Sequence, residues 1–167
     1  MRIRALTLAA AIGLPTTLAA QTTVGTMSGT LEGPPAAYSI LDGEDIATGW
    51  REVEDGVEVT LEAYPADTPV SDDQRLTVTF TADPGTRSPD LISGQIELMR
   101  DGEALTATDD AINLSVDSFE IQGDSLLIDG NMRATLAEGE EDVSVVSSEG
   151  ITLSVDLQAT VIRAEGD

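Results

Sequence analysis

Between Val57 and Val161 the chain repeats one motif, an apolar residue followed by a polar one. In "GVEVTLEAYP" Val57, Val59, Leu61 and Ala63 alternate with Glu58, Thr60, Glu62 and Tyr64, and Pro65 ends the run. "RLTVTFTADPG" sets Leu76, Val78 and Phe80 against Thr77, Thr79 and Thr81. "GITLSVDLQATVI" sets Ile151, Leu153, Val155, Leu157, Ala159 and Val161 against Thr152, Ser154, Asp156, Gln158 and Thr160. Successive side chains of a strand point to opposite faces, so each run predicts a strand with one apolar and one polar face. The first two segments form a candidate antiparallel pair, joined by a loop too long for a tight hairpin. The last is expected to pair with residues 126 to 136.

The remaining segments are weaker versions of the same pattern. "TVGTMSGTLEG" alternates Val24, Thr26, Ser28 and Thr30 with Gly25, Met27, Gly29 and Leu31, and its thin apolar content suggests an edge strand. Pro34 and Pro35 should interrupt pairing before the short strand "AYSIL", and "IATGW" places Trp50 in a short strand or as a plug over one end of the core. "LISGQIELMRDGE" continues the alternation. In "AINLSVDSFEIQGD" Ile112, Leu114 and Val116 are in phase, whereas Phe119 and Ile121 fall on the opposite parity, which predicts a bulge or corner at Asp117 and Ser118. Gly130 occupies the apolar row of Leu126, Ile128 and Met132, where a close backbone approach is expected. In some registers Arg133 would stand across from Asp156. "AEGEEDVSVVSSEG" reads as an acidic excursion or a small hairpin arm.

About seven to nine strands result, with no convincing helical period beyond a short candidate in "DGEALTATDDA". Regular βαβ alternation is absent. The fold class is therefore all-β: an antiparallel β-sandwich or a small closed barrel.

Residues 1–20, "MRIRALTLAAAIGLPTTLAA", carry Arg2 and Arg4, an apolar run through Leu14 and small residues at Ala19 and Ala20. This predicts a signal peptide, cleaved after Ala19 or Ala20, and a single domain over residues 21–167 in the periplasm or outside the cell. The apolar run is shorter than the roughly 17–25 residues a membrane helix needs. A transmembrane β-barrel would use the same alternation, but Tyr38, Trp50, Tyr64, Phe80 and Phe119 are too few aromatics for two interfacial girdles. No stable membrane insertion of the processed chain is expected.

Charge narrows the partners. The chain has 31 Asp plus Glu, 8 basic residues that are all arginine, and a net charge of −23, which becomes −25 once Arg2 and Arg4 leave. Such a surface repels nucleic acid and attracts at most a diffuse cloud of cations. With no Cys and no His, thiol chemistry, Ser-His-Asp relays and the familiar zinc sites cannot be assembled.

What remains for chemistry is carboxylates, hydroxyls and arginine. Calcium is the alternative to having no cofactor, with acidic loops at Asp42, Glu44 and Asp45; at Asp72 and Asp73; at Asp109 and Asp110; and at Glu138, Glu140, Glu141 and Asp142. None follows an EF-hand spacing. Tyr38, Trp50 and Tyr64 are the candidate apolar anchors for a partner. The expected function is an exported, non-enzymatic binding or structural module that meets an unknown protein or small molecule through loops or a sheet edge. The alternatives are a barrel carrying an apolar small molecule and a hydrolase using two carboxylates.

Overall fold

In the computed structural model, which describes residues 21–84, 89, 91–138 and 150–164, every long alternating run is a strand. The described residues form β1 (Thr22–Leu31), β2 (Pro35–Asp42), β3 (Gly49–Val53), β4 (Gly56–Pro65), β5 (Leu76–Ala82), β6 (Leu91–Arg100), β7 (Glu103–Thr108), β8 (Ile112–Gln122), β9 (Ser125–Glu138) and β10 (Ile151–Ile162). Residues 1–20, where a signal peptide is expected, residues 139–149, and residues 85–88 and 90 lie outside the described residues.

The ten strands form one mostly antiparallel sheet, ordered β10-β1-β2-β4-β5-β6-β7-β9-β8, with β3 added to β4 and β9 also paired to β10. The architecture is sandwich-like. β4 and β5 pair as the alternation predicts, with Leu61 opposite Val78 and Val59 opposite Phe80. β10 pairs with β9 along twelve positions, from Ile151–Leu136 to Ile162–Ser125. On its other edge β9 pairs first with β8 and then, through Leu105–Glu138 and Thr106–Ala137, with β7.

Burial resolves which face is which. Met27, Ile40, Leu61, Leu76, Ile96, Leu126, Ile128, Leu136, Leu153 and Leu157 are fully buried within one continuous apolar cluster, while their polar neighbours face outward. Each large aliphatic side chain so enclosed contributes about 1.5–3 kcal/mol relative to exposure, and that sum sets the register of the sheet. A lipid-facing barrel needs the reverse polarity on its outer surface. No helix among the described residues is long and apolar enough to cross a membrane.

Three expectations change. There are ten strands rather than seven to nine, because Gly49–Val53 is a strand of its own and the turn Asp109–Ala111 divides β7 from β8. The helix expected in "DGEALTATDDA" is only that single 3-10 turn; the segment begins with the turn at Asp101 and Gly102, and Glu103–Thr108 is β7. β1 is not an edge: it is paired to β10 on one side and β2 on the other. Its inward positions look poor because Gly25 and Gly29 stand where the β10 backbone passes, and a Cβ on Gly29 would collide with the carbonyl oxygen of Ser154.

The bulge in β8 is where the parity shift places it. Val116 pairs with Gly130 and Ser118 with Asp129, leaving Asp117 without a partner across the ladder, so Val116 and Phe119 both reach the interior. Among the described residues β8 pairs with β9 alone. The kink and the charges of Asp117 and Glu120 blunt this open edge, a common protection against further strand addition.

Candidate functional site

The outer face of β1, β10, β9 and β8 is a lattice of short polar side chains. Register brings Thr26, Gln158, Asp129 and Ser118 into one row across the four strands. Below it run Ser28, Asp156, Asn131 and Ser115, then Thr30, Ser154, Arg133 and Asn113. These twelve positions follow from the strand period: each is one residue away from a buried apolar or glycine position, so sinking the latter turns the former outward.

Two depressions open on this face. One, of about 410 Å³, is bordered by Thr26, Ser118, Asp129, Gln158 and Thr160. The other, of about 320 Å³, is bordered by Asn113, Asn131, Met132, Arg133 and Ser154. Gln158 donates from Nε2 to Asp129 Oδ2 at 3.0 Å, which satisfies one carboxylate oxygen inside the lattice. The notional Arg133–Asp156 pair does not form: Arg133 stands opposite Ser154, and Asp156 opposite Asn131, two residues along.

A second polar recess, of about 240 Å³, lies on the outer face of β4, β5 and β6 and is lined by Glu62, Arg75, Thr77, Thr79, Gln95 and Glu97. Glu62 is only 8% exposed. Its Oε1 accepts the Ala47 N–H at 3.2 Å, its Oε2 accepts the Tyr64 hydroxyl at 3.2 Å, and its own N–H donates to Thr48 Oγ1 at 2.9 Å. The chain between β2 and β3 is thereby fastened over β4. Burial, followed by the neighbouring Glu62 carboxylate and its hydrogen bond, raises the Tyr64 phenol above its ordinary pKa. Arg75 reaches Asp72 and Glu97, each at 3.7 Å. The two carboxylates of the recess are thus a fastening and an ion-pair partner. The alternation showed Glu62 only as an outward residue of β4; its shared face with Tyr64, two positions on, was the signal of a polar pair.

The three candidate anchors are placed apart. Tyr38 is 6% exposed and belongs to the apolar interior, whereas Tyr64 faces the opposite side of the sheet beside Glu62. Burial raises the Tyr38 phenol, while Arg100 acts in the opposite sense. Trp50 is 1% exposed. Its indole N–H donates to the Asp124 carbonyl at 3.0 Å, and the Arg163 guanidinium lies 4.8 Å from its ring centroid. It is both strand residue and plug: Ala164 N–H donates to the Trp50 carbonyl, and Arg163 pairs with Glu52 at 2.6 Å.

Two of the acidic loops have local duties. Asp109 Oδ1 accepts the Gly94 N–H at 2.9 Å and Asp72 pairs with Arg75, whereas Glu140, Glu141 and Asp142 lie outside the described residues. Among the described residues no three His, Cys, Asp or Glu side chains gather in a metal-holding group. Comparison with known proteins returns no matching family model, no matching curated protein and no matching solved structure.

Proposed function

We propose that this chain is an exported, non-enzymatic module that works by non-covalent recognition on the outer face of β1, β10, β9 and β8. The observation carrying this reading is the division of the sheet into two chemistries. Its interior is one apolar cluster, and its outward lattice of hydroxyls, amides, two carboxylates and a guanidinium holds the 410 and 320 Å³ depressions. Hydrogen-bonding groups presented on a sheet are suited to orienting a hydroxylated or amide-bearing ligand. In the same reading the two-pair joint between β7 and β9 closes the strands into a small barrel.

The occupied interior favours an outer-face ligand over an apolar cargo held between the walls. The ion pair of Arg75 with Glu97 and the fastening of Glu62 support a structural rather than hydrolytic role for the second recess. Arg2, Arg4 and the apolar run that follows them support export to the periplasm or outside the cell.

Arrays of soluble oligosaccharides and peptides probed with the labelled protein test the proposal, with Asp129→Arg as the disrupting variant. Binding lost in Asp129→Arg while the far-UV spectrum is retained supports the face. Binding untouched by that change, or chemical turnover of a bound array member, overturns it. Mass spectrometry of the exported protein should find Ala20 or Gln21 at the N-terminus, and an intact Met1 would remove the export half of the reading.

A further inference from the structure

We propose that Arg133, with Asn113, Asn131 and Ser154, forms a subsite for one carboxylate carried by a polyhydroxylated ligand of the sugar-acid class. This rests on the outer-face recognition reading and names the chemistry of one end of that face.

The inference comes from following the arginines. The described residues include Arg51, Arg75, Arg100, Arg133 and Arg163. Arg51 pairs with Glu58 at 2.5 Å, Arg75 with Asp72 and Glu97 at 3.7 Å, Arg100 with Glu32 at 2.6 Å, and Arg163 with Glu52 at 2.6 Å. Arg133 makes no ion pair among the described residues. In a chain with 31 acidic residues, an arginine that makes no ion pair and whose direct cross-strand partners are neutral is a departure from its own composition. The cause is visible in the register, because its cross-strand partners are Ser154 on β10 and Asn113 on β8. Asn131 precedes it by two on the same face.

These four side chains line the 320 Å³ depression together with Met132. A guanidinium presents a planar fork of donors that matches a carboxylate through two parallel hydrogen bonds. The two amides and the hydroxyl around it add further donors without adding negative charge. β9 is held on both edges here, by β8 and β10, so the fork stands on a strand paired along both sides.

The surrounding charge decides how many anionic groups the ligand carries. Asp156 lies diagonally from Arg133, and Asp129 lies four residues back along β9, about 13 Å away at strand rise. A polyanion laid along the face would meet both carboxylates and the negative field of the whole molecule. A ligand with its charge confined to one end avoids them: the carboxylate meets Arg133, and its neutral hydroxyls run toward Asn131, Gln158, Thr26 and Ser118. Inorganic phosphate lacks that hydroxylated body and carries more charge, so it should bind less well.

The test is an NMR titration of the 15N-labelled protein with sodium glucuronate, read at the Arg133 Nε–H and the side-chain amides of Asn113 and Asn131. Glucose, acetate, phosphate and sodium chloride serve as comparison probes. Saturable shifts at those three groups with glucuronate, tighter than with acetate or phosphate, are expected. Arg133→Gln should weaken binding by about tenfold or more, and Arg133→Lys by several-fold because the two-point geometry is lost. Ser154→Asp gives Arg133 an internal carboxylate, and should abolish binding while leaving thermal stability undiminished. That variant separates loss of the site from loss of the fold.

Arg133 resonances that stay still with glucuronate, or move equally with sodium chloride, overturn the subsite, as does tighter binding of phosphate. Shifts confined to Gln158 and its neighbours would end this proposal and leave the recognition face standing. An unresponsive outer face throughout the glucuronate series, together with empty arrays, would remove both.

Discussion

Replacing Trp50 by Ala removes a side chain that is 1% exposed and joins three parts of the chain. The cost can be worked from its contacts. Emptying a buried aromatic site costs about 3–5 kcal/mol, because the surrounding strands relax only in part. That is a large share of the roughly 5–15 kcal/mol by which folded domains are stable. Trp50→Phe should be much milder. The Asp124 carbonyl that accepts the indole N–H also accepts the Arg163 N–H at 2.7 Å, so losing the indole leaves no orphaned acceptor. A ring remains beneath the Arg163 guanidinium, and the expected loss is about 1–2 kcal/mol. Urea titrations followed by far-UV circular dichroism measure both, since Trp50 is the sole tryptophan and its fluorescence disappears with it. If Trp50→Ala lies within about 1 kcal/mol of the parent, or Trp50→Phe is as damaging as Trp50→Ala, the plug assignment is wrong.

Three further expectations use other parts of the sheet. The Tyr38 and Tyr64 phenols are raised above 10.0, so their contribution is fully present below pH 10.0 and is lost as pH climbs through their folded values. Tyr64→Phe should flatten that alkaline decline and cost about 1 kcal/mol at neutral pH through the lost Glu62 hydrogen bond; an unchanged alkaline slope in urea midpoints measured above pH 10.0 would contradict this. Deleting Asp117 removes just the residue with no cross-strand partner, so the ladder from Ser118 to Gln122 should survive while the flatter edge self-associates. Sedimentation velocity would show dimers, and a monomer or an unfolded chain would refute the reading. Finally, raising sodium chloride from about 10 mM to about 300 mM should increase the urea midpoint by screening like charges, and a falling midpoint would place the dominant electrostatics in the ion pairs instead.

The strands were legible wherever burial of one face decided them. Val57 to Ala63, Leu76 to Phe80 and Leu153 to Val161 each present an apolar row that only a period of two can gather, and the structure gathers them. The bulge at Asp117 was equally readable, because Val116 and Phe119 cannot both reach the interior without an extra residue between them. β1 was misplaced at an edge for a reason that lies outside its own sequence. A glycine among inward positions looks like missing core until the β10 backbone is seen to occupy the same space.

The candidate site was much less legible. Asn113, Asn131, Arg133 and Ser154 come from three strands, and a shift of two residues between β9 and β10 would have set Arg133 against Asp156 and made another surface ion pair. Likewise, nothing local distinguishes Glu62 from the exposed glutamates until the segment between β2 and β3 folds over it.

By itself the sequence determined the strand period, the inward rows, the negative field and the absence of thiol and imidazole chemistry, because each depends on residue type and spacing along one strand. Strand order, the open edge of β8, the enclosure of Trp50 and the neutral cross-strand partners of Arg133 were decided only by tertiary structure. These depend on which strands become neighbours and in what register, and that choice is made by the shared burial of side chains far apart in the chain.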